Sequence, residues 1–472
     1  MSAGPHRIGT LQYGTAGLVR LFSCFVIGGL TYSMVYQIDP RVLPIVLREH
    51  GATNQQIAII IGSLTLLINS FTEPIVGYRS DRTRGRWGRR IPFIFWLTPV
   101  VSLFILAVPY SPEFTQWAMR IGWLARAAAI LPWAPVILAF TALILLYKVF
   151  YNLVAAVYLG LIPDVVPASH LGRFHTIFRV LGALSTFAGY YWLVGLASSN
   201  PKSVFASFAV LNLVGFWAIC WLVKEGTYPA PEEPAPAQAG PWKRFLGASG
   251  DFLSEAFRHP VYRWTYMTRV LIFAANSAAA FVIFFGRDDL GMSFDRTGKL
   301  LALSSLGWIA LAYPMCRLLD RWGSIRTLHH ALWLGTFAYV ASFFVIAGGE
   351  SFFAASLATS TIFWIIWSAE IMLSQQIFNR NRMVRLGAAN SIVKSVIIAF
   401  VTSPLVGWLL DIFRGFSRTV RVPGIGPVVF GQYRFIFLVL AAMYALALLS
   451  LYQVRAQWRR LGGPEAYRPP AG

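Results

Sequence analysis

Charged side chains are scarce in this sequence, and acidic ones are the scarcest. Only 12% of the 472 residues are charged, with 19 acidic against 40 basic side chains, whereas 57% are hydrophobic. Soluble proteins carry about twice that share of charge, so the composition excludes a chain whose whole surface faces water. The basic residues stand in short groups between long apolar runs. This arrangement excludes the continuous basic face of a nucleic-acid-binding domain.

Cysteine frameworks, histidine clusters and phosphate-binding loops are also missing. The three cysteines, Cys24, Cys220 and Cys316, lie in or beside apolar runs, which excludes a disulfide framework. The seven histidines lie in loops or near helix ends, and no glycine-rich phosphate loop is present. We therefore predict no metal, no cofactor and no ATP-driven pumping. No small-residue cleavage site follows a short apolar stretch, so we expect the first apolar run to be a retained helix.

Long apolar runs dominate the rest of the chain, whose mean hydropathy is +0.59. A membrane-spanning helix needs about 20 mainly apolar residues, and its backbone groups must bond within the helix because hydrocarbon offers no partners. The sequence therefore predicts an all-α integral membrane protein with twelve transmembrane helices. The predicted helices are residues 16–38, 54–78, 91–110, 134–160, 174–198, 203–223, 264–286, 299–317, 328–348, 352–374, 388–409 and 434–454.

Groups of arginines follow the even-numbered predicted helices, and the densest group, from Arg79 to Arg90, follows the second. Because cytoplasmic loops are enriched in Lys and Arg, we predict that both termini are cytoplasmic. We expect a multi-pass protein of the cytoplasmic (inner) membrane. Arg414, Arg418 and Arg421 are exceptions, because they fall in a long predicted outer loop before the last helix.

A stretch rich in Pro, Ala and Glu near the middle of the chain, GTYPAPEEPAPAQAGP from Gly226, predicts a linker. We therefore expect an N-terminal six-helix bundle (1–225), a cytoplasmic linker (226–262) and a C-terminal six-helix bundle with a cytoplasmic tail (263–472). Within the linker, Trp242 to His259 show the apolar spacing of an amphipathic surface helix. A weak repeat, GYRSDRTRGRWGRR after helix two and LLDRWGSIR after helix eight, supports two matched bundles.

Two motifs indicate a family. The segment EPIVGYRSDRTRGRWGRRIPFI from Glu73 combines a helix end, an acidic residue, an arginine group and a proline that starts the next helix. The second motif is YLGLIPDVVPASHLGRF from Tyr158. Together they resemble the glycoside–pentoside–hexuronide:cation symporters of the major facilitator superfamily, the group that contains the melibiose carriers. The resemblance implies a substrate site at the membrane midplane and transport by alternating access.

The charged residues after helices two and eight allow two interpretations. Asp81 and the arginines around it can pair with one another and with helix dipoles of the opposite bundle, which would form a conformational latch. Alternatively, the arginines serve only to orient the chain in the membrane. The predicted latch residues are Asp81, Arg82, Arg89, Arg90, Asp320 and Arg321.

Polar residues in helices two and four are the main candidates for ion coupling. Asn69 and Glu73 share a helical face, and the resemblance implies that the corresponding pair in the melibiose carriers is acidic and binds the coupling cation. Lys148 and Asn152 lie along one face of helix four, where the carriers' third acidic ligand aligns with Ala155. One carboxylate beside an ammonium is a poor sodium site. We predict that Lys148 pairs with Glu73, although a snorkelling lysine and a capping or latch glutamate are the alternatives.

The predicted substrate-binding residues are Lys148 and Asn152 together with Arg179, Tyr36, Trp364 and Lys394. Arg179 resembles the arginine that contacts sugar in the melibiose carriers, and Lys394 resembles their membrane lysine. Glu370 is the nearest chemical partner of Lys394 in the sequence, as a structural ion pair or a gate. Trp364 can stack on a sugar. Helix one offers Tyr36 but no clear counterpart of the family's sugar-binding acid.

We expect a monomeric secondary transporter, and not an enzyme, that moves a glycoside, oligosaccharide or related polar solute through the lipid bilayer. Coupling to a proton and the absence of coupling are both open, whereas sodium coupling is not expected. One alternative is a transporter of an amphipathic lipid, such as a lysolipid, on the same fold. Another is a membrane-embedded enzyme of lipid or glycan metabolism, although no His–Asp pair or metal set is visible in the sequence to support it.

Overall fold

A computed structural model of the chain describes residues 6–8, 10–122, 126, 130, 132–228, 257–379, 383–424, 426–467, 469 and 470. Ten helices in these residues are long and apolar enough to cross a membrane. Two other long helical stretches, residues 54–82 and 294–322, are not among the ten. The helical fold is therefore confirmed, and the number of twelve spans stays a prediction.

The long helices are numbered in chain order. They are α1 (Thr15–Glu49), α2 (residues 54–82), α3 (Ile91–Met119), α4 (Pro135–Val165), α5 (residues 171–199), α6 (Pro201–Leu222), α7 (Pro260–Asp289), α8 (residues 294–322), α9 (residues 324–345), α10 (Gly349–Ile377), α11 (residues 383–412) and α12 (Gln432–Arg460). Gly323 separates α8 from α9, because its φ of 71° lies in a region that only glycine adopts readily. Short helical turns are present at Ala168–His170 and Gly463–Ala466.

Helix starts follow from local sequence. Pro135, Pro201 and Pro260 each begin a helix, where a missing N–H costs nothing because the first N–H groups have no partner within the helix. The side chain of Asn200 accepts a hydrogen bond from the backbone N–H of Ser203 at 3.3 Å, which caps the start of α6. These signals place α4, α6 and α7 within a few residues of their predicted starts.

The described contacts group the chain into two units. The first unit contains the described residues of Met1–Ala52 and Leu67–Glu233, and the second contains those of Thr53–Leu66 and Pro234–Gly472. Helix α2 therefore contributes its first part to the second unit and the remainder to the first. In the first unit, α1 packs against α5 and α6, and α3 packs against α4 and α6.

In the second unit, α7 packs against α12, and α10 packs against the run Gly307–Val345. The first part of α2 packs against Ser403–Ile412 of α11. The approach is close at Gly407, where an added Cβ would lie 2.5 Å from the Cα of Gln55. Only glycine leaves this much room for the neighbouring helix.

The structure corrects one expected helix boundary, because α1 ends at Glu49 and not at residue 38. Two short hairpins accompany the helices. The predicted outer loop contains a hairpin in which β3 (Ser417–Val422) pairs antiparallel with β4 (Gly426–Gly431), with Arg418 opposite Phe430. A smaller hairpin joins β1 (His6–Ile8) to β2 (Leu11–Tyr13). Most of the predicted linker and of the amphipathic helix Trp242–His259 lies outside the described residues.

Candidate functional site

A buried ion pair joins α1 to α4 in the first unit. The ammonium of Lys148 contacts the Oδ2 atom of Asp39, and the two side chains are 3% and 9% exposed. The Tyr147 hydroxyl donates to the other carboxylate oxygen at 3.5 Å. The ammonium also lies 5.3 Å from the centre of the Tyr147 ring and 6.0 Å from that of Tyr151. Ionised groups are tolerated inside a membrane protein when opposite charges form pairs.

Asp39 occupies a distorted turn of α1. Residues Ile38–Val42 form a π-helical turn, and Pro40 within it has no backbone N–H to donate. Such turns are wider than an α-helix and are frequent at functional sites. Asp39 is not among the predicted site residues, because the predicted first helix ends at residue 38, just before the Asp–Pro pair. The apolar run VLPIVL from Val42 was the available sign that the helix continues.

Arg41 is a second buried cation of α1, and it has no carboxylate partner among the described residues. Its guanidinium donates to the Oε1 atom of Gln37 and lies 4.1 Å from the centre of the Tyr190 ring on α5. Its Nε atom is buried without a hydrogen-bond partner in the described part of the chain. The absence of a side chain at Gly189 makes room for it, because an added Cβ would lie 2.9 Å from the Arg41 Cδ atom.

An amide pair extends the site toward α2. The Nδ2 group of Asn152 donates to the Oδ1 atom of Asn69, so the helix-two and helix-four faces expected from the sequence meet at these residues. Lys148, one turn before Asn152, has Asp39 as its ion-pair partner, and this partner was not predicted from the sequence. The side chain of Glu73 lies outside the described residues. Its pairing with Lys148 therefore stays a prediction.

Aromatic side chains line the same region of the first unit. The rings of Tyr32 and Tyr151 are stacked at 6.3 Å, and the Tyr151 hydroxyl donates to the backbone oxygen of Tyr32 at 3.0 Å. Phe178 of α5 packs against Tyr32 at 5.6 Å between ring centres. The next residue, Arg179, is exposed, as is Tyr36. The predicted first helix (16–38) contains no acid, whereas α1 continues to Glu49 and contains the buried Asp39.

The second unit contains a separate buried ion pair. Glu370 of α10, 1% exposed, contacts the Nε atom of Arg269 on α7. Arg269 is a partner of Glu370 that was not predicted, and the expected pairing of Glu370 with Lys394 stays a prediction. The Lys394 ammonium lies 3.8 Å from the centre of the Phe273 ring, and Trp364 is half-buried on α10. Arg269 was missed because it lies about 100 residues from Glu370 in sequence, and the packing of their helices alone brings the two charges together.

Three of the predicted latch residues, Asp81, Arg89 and Arg90, belong to an ion-pair cluster within the first unit. Asp164, at the end of α4, binds the Arg89 Nη2 atom at 2.6 Å and the Arg90 Nε atom at 2.5 Å, and Arg90 binds Asp81 at 2.9 Å. Burial alone would lower the pKa of Arg89, but the hydrogen bond to Asp164 and the nearby negative charges of Asp164 and Asp81 together outweigh this effect, and the pKa is raised. Glu225 accepts the backbone N–H groups of Arg89, Arg90 and Ile91 at 2.9, 2.8 and 2.7 Å. The cluster thus caps the start of α3.

The sequence identified only part of this cluster. Asp164 belongs to the LIPDVVP stretch of the second motif, and Glu225 follows the last apolar residues of α6, but neither was singled out. Of the other predicted latch residues, Arg82 is half-buried and Arg321 is exposed, whereas the side chain of Asp320 lies outside the described residues. Contacts from Asp320 or Arg321 to a latch stay predictions.

Comparison with known proteins identifies the family. The family model of the Major Facilitator Superfamily matches residues 21–402. The chain belongs to the major facilitator superfamily. An uncharacterized symporter, sll1374, of Synechocystis sp. (strain ATCC 27184 / PCC 6803 / Kazusa) is 24% identical over 178 residues, which cover 35% of this chain and 30% of that relative. The finer resemblance to the glycoside–pentoside–hexuronide symporters is not part of this match.

Solved structures share the fold of this superfamily member. A mutant of the nucleoside transporter NupG has a TM-score of 0.63 at 10% identity, covering 92% of this chain and 99% of NupG. A D-xylose-proton symporter has a TM-score of 0.60 at 15% identity, covering 92% of this chain and 97% of the symporter. A bacterial homologue of the iron transporter ferroportin has a TM-score of 0.64 at 14% identity, covering 93% and 99%. These likenesses concern the fold, whereas membership of the superfamily makes the chain a multi-pass membrane transporter and not an enzyme.

Proposed function

We propose that this superfamily member is a secondary transporter that moves a glycoside, oligosaccharide or related polar solute by alternating access, coupled to protons or uncoupled, and not to sodium. The observation that carries the proposal is the buried Asp39–Lys148 pair, with Arg41 and the amides of Asn69 and Asn152 on neighbouring turns. Polar side chains in apolar helices of a transporter mark solute and ion pathways. The monomeric state and the inner-membrane location belong to the same proposal.

The position of Lys148 supports the exclusion of sodium. A hard cation needs several oxygen ligands that together carry negative charge. Here the Asp39 carboxylate is already neutralised by an ammonium, and a second cation, Arg41, lies two residues along α1. Sodium would have to bind against two fixed positive charges. A proton can instead move onto and off a carboxylate–ammonium pair without additional ligands.

Coupling is tested in proteoliposomes with the purified full-length chain. Solute uptake is measured with the proton gradient and the sodium gradient collapsed separately. Uptake that falls only with the proton gradient, or with neither, supports the proposal, and uptake that follows the sodium gradient overturns it. The variant Lys148→Ala removes the ammonium from beside Asp39, so new sodium-dependent uptake in this variant would support the proposed place of Lys148.

The buried charges of the site indicate a more specific class of solute. Among the described side chains of the site, Lys148 and Arg41 are buried cations and Asp39 is the buried anion, so one positive charge is left over. A buried charge without a counter-ion is costly, and a carboxylate on the solute would provide one. We therefore infer that an acidic solute, such as a sugar acid, binds better than its neutral counterpart.

A matched pair of competitors tests this refinement. Glucuronate and glucose differ by one carboxylate. Glucuronate should inhibit solute uptake by the wild-type protein more strongly than glucose does. Arg41→Gln should weaken competition by the acid about tenfold or more, the usual cost of a lost hydrogen bond to a charged group, and should leave the neutral sugar unchanged. Equal losses for both competitors would contradict the role given to Arg41.

Transport of an amphipathic lipid such as a lysolipid is the second candidate. The specific observation that favours it is the aromatic lining by Tyr32, Tyr151 and Phe178, which suits an apolar chain as well as a sugar ring. Competition for uptake by lysolipids and not by sugars would favour this candidate. The third alternative, a membrane-embedded enzyme, is ruled out by the family.

A further inference from the structure

A groove lies on the first unit where two helices end, away from the buried ion pair. Its volume is about 620 Å³, and its walls include Arg86, Trp87, Phe95, Trp221, Lys224 and Glu225. It lies where α3 begins at Ile91 and α6 ends at Leu222. Because both helices are long enough to cross a membrane, their ends lie at the boundary between hydrocarbon and water.

The groove is cationic. Arg86 and Lys224 are exposed, and neither forms an ion pair with any residue that the structure describes. Glu225 is the acid in the lining, and its carboxylate already has hydrogen-bond partners. Its two oxygens accept the backbone N–H groups at the start of α3 at 2.7–2.9 Å. Within the described part of the chain, the two cations therefore remain available to an anionic ligand.

The apolar part of the lining includes the aromatic rings of Trp87, Phe95 and Trp221. Trp221 is 70% exposed and Trp87 is 42% exposed. The ring of Phe95 stacks on Trp217 at 5.4 Å, and the indole N–H of Trp217 donates to the backbone oxygen of Phe95 at 3.2 Å, so packing and a hydrogen bond both support this wall. Tryptophan rings with one apolar and one polar edge are typical of the membrane interface, where they contact both headgroups and the upper part of acyl chains.

We propose that the groove binds an anionic phospholipid, with the phosphate between Arg86 and Lys224 and the upper acyl chain against Trp87, Phe95 and Trp221. Cations at this level attract anionic lipid, and the aromatic wall favours lipid over free phosphate. Binding here also bears on the ion-pair cluster, since Glu225 joins the groove to Arg89 and Arg90. Bound lipid therefore stabilises the start of α3.

The experiment compares lipids on the purified full-length chain in detergent. Melting temperature is measured with added phosphatidylglycerol, with phosphatidylcholine and with inorganic phosphate, and lipid adducts are counted by native mass spectrometry. Phosphatidylglycerol should raise the Tm and remain bound, whereas the other two should not. Equal protection by phosphatidylcholine or by inorganic phosphate would overturn the proposal, because it would show a site without anion selectivity or a site for free phosphate.

A matched pair of double variants locates the site. Arg86→Gln with Lys224→Gln should lower the affinity for phosphatidylglycerol about thirtyfold, the equivalent of about 2 kcal/mol for two cations. The control, Arg120→Gln with Lys202→Gln, removes the same charge from the opposite ends of the same two helices and should keep wild-type affinity. Equal losses in both variants would show general surface attraction and reject the groove. The single variant Lys224→Gln, which alters one exposed side chain, checks the result if the double variant folds poorly.

Discussion

Lys148 and Asp39 neutralise each other between two apolar helices, and each is almost fully buried. The net worth of such a pair is small, because desolvation of both charges offsets most of their attraction. Removal of one member is different, since it leaves the other charged and without a counter-ion. The pair is therefore more informative when its members are changed together than when either is changed alone.

We predict that Asp39→Asn and Lys148→Gln each lower the free energy of unfolding by about 3–5 kcal/mol, because each leaves one buried charge unpaired. The double variant should be clearly more stable than the sum of the two losses predicts. Denaturant titration of the three variants in detergent micelles measures this. Losses that simply add would show that the two side chains do not interact.

At the scale of the element, α2 begins with an unusual cap. Thr53 supplies a capping box with Gln56, and the Asp411 carboxylate of α11 accepts the backbone N–H groups of Asn54 and Gln55 at 3.2 and 2.9 Å. The Tyr433 hydroxyl donates to the Asn54 side chain at 2.7 Å. These contacts attach the first part of α2 to the second unit.

We predict that Asp411→Ala lowers the free energy of unfolding by about 1–2 kcal/mol, the usual cost of losing a helix cap. Asp295→Ala is the matched control, because it removes an exposed acid that pairs with Lys299 one turn away, and such pairs contribute about 0.5 kcal/mol or less. Denaturant titration compares the two. If Asp411→Ala lowers the free energy of unfolding no more than the control does, the Asp411 carboxylate does not stabilise the start of α2.

The start of α3 depends on a second set of acids. Asp164 and Asp81 both pair with arginines there, but their side chains are 11% and 54% exposed. We predict that Asp164→Asn lowers the free energy of unfolding by about 2 kcal/mol or more, because it weakens hydrogen bonds to two guanidinium groups. Asp81→Asn should cost under about 1 kcal/mol, as for other exposed ion pairs. Thermal unfolding of both variants tests this order, and a reversed order would refute it.

At the scale of the whole molecule, the contacts divide the chain into two units that do not follow the sequence order strictly. Residues Thr53–Leu66 group with the second unit, although the rest of α2 groups with the first. Hydrophobic periodicity carries no information about the grouping of this part of α2 with the second unit. Periodicity indicates which face of a helix is apolar, but not which neighbour covers that face.

We predict that Arg84 and Arg414 face opposite sides of the membrane, with Arg84 cytoplasmic, because the positive groups after even-numbered helices face the cytoplasm. In a variant lacking Cys24, Cys220 and Cys316, single cysteines at these two exposed positions should react with a membrane-impermeant reagent from opposite sides. Labelling of both from the same side of intact cells would reject the predicted topology.

Much of the candidate site was visible in the sequence, because helical periodicity places Lys148 and Asn152 on one face and the apolar surroundings make them conspicuous. Their partners were harder to predict. Asp39 and Arg41 follow residue 38, where an Asp–Pro pair is typical of a helix end, so the sequence does not mark them as membrane residues. Asp164 lies in the LIPDVVP stretch at a helix end, where an acid is not exceptional.

The sequence by itself determined that the chain is a helical membrane protein, because twenty apolar residues in a row leave the backbone no other way to bond inside a bilayer. It also determined which polar side chains are exceptional there. Only the tertiary structure decided that Lys148 binds Asp39, that Glu370 binds Arg269 and that Asp411 caps α2. Ion pairs act over a few ångströms, so their partners depend on which helices pack together, and a linear pattern does not specify that.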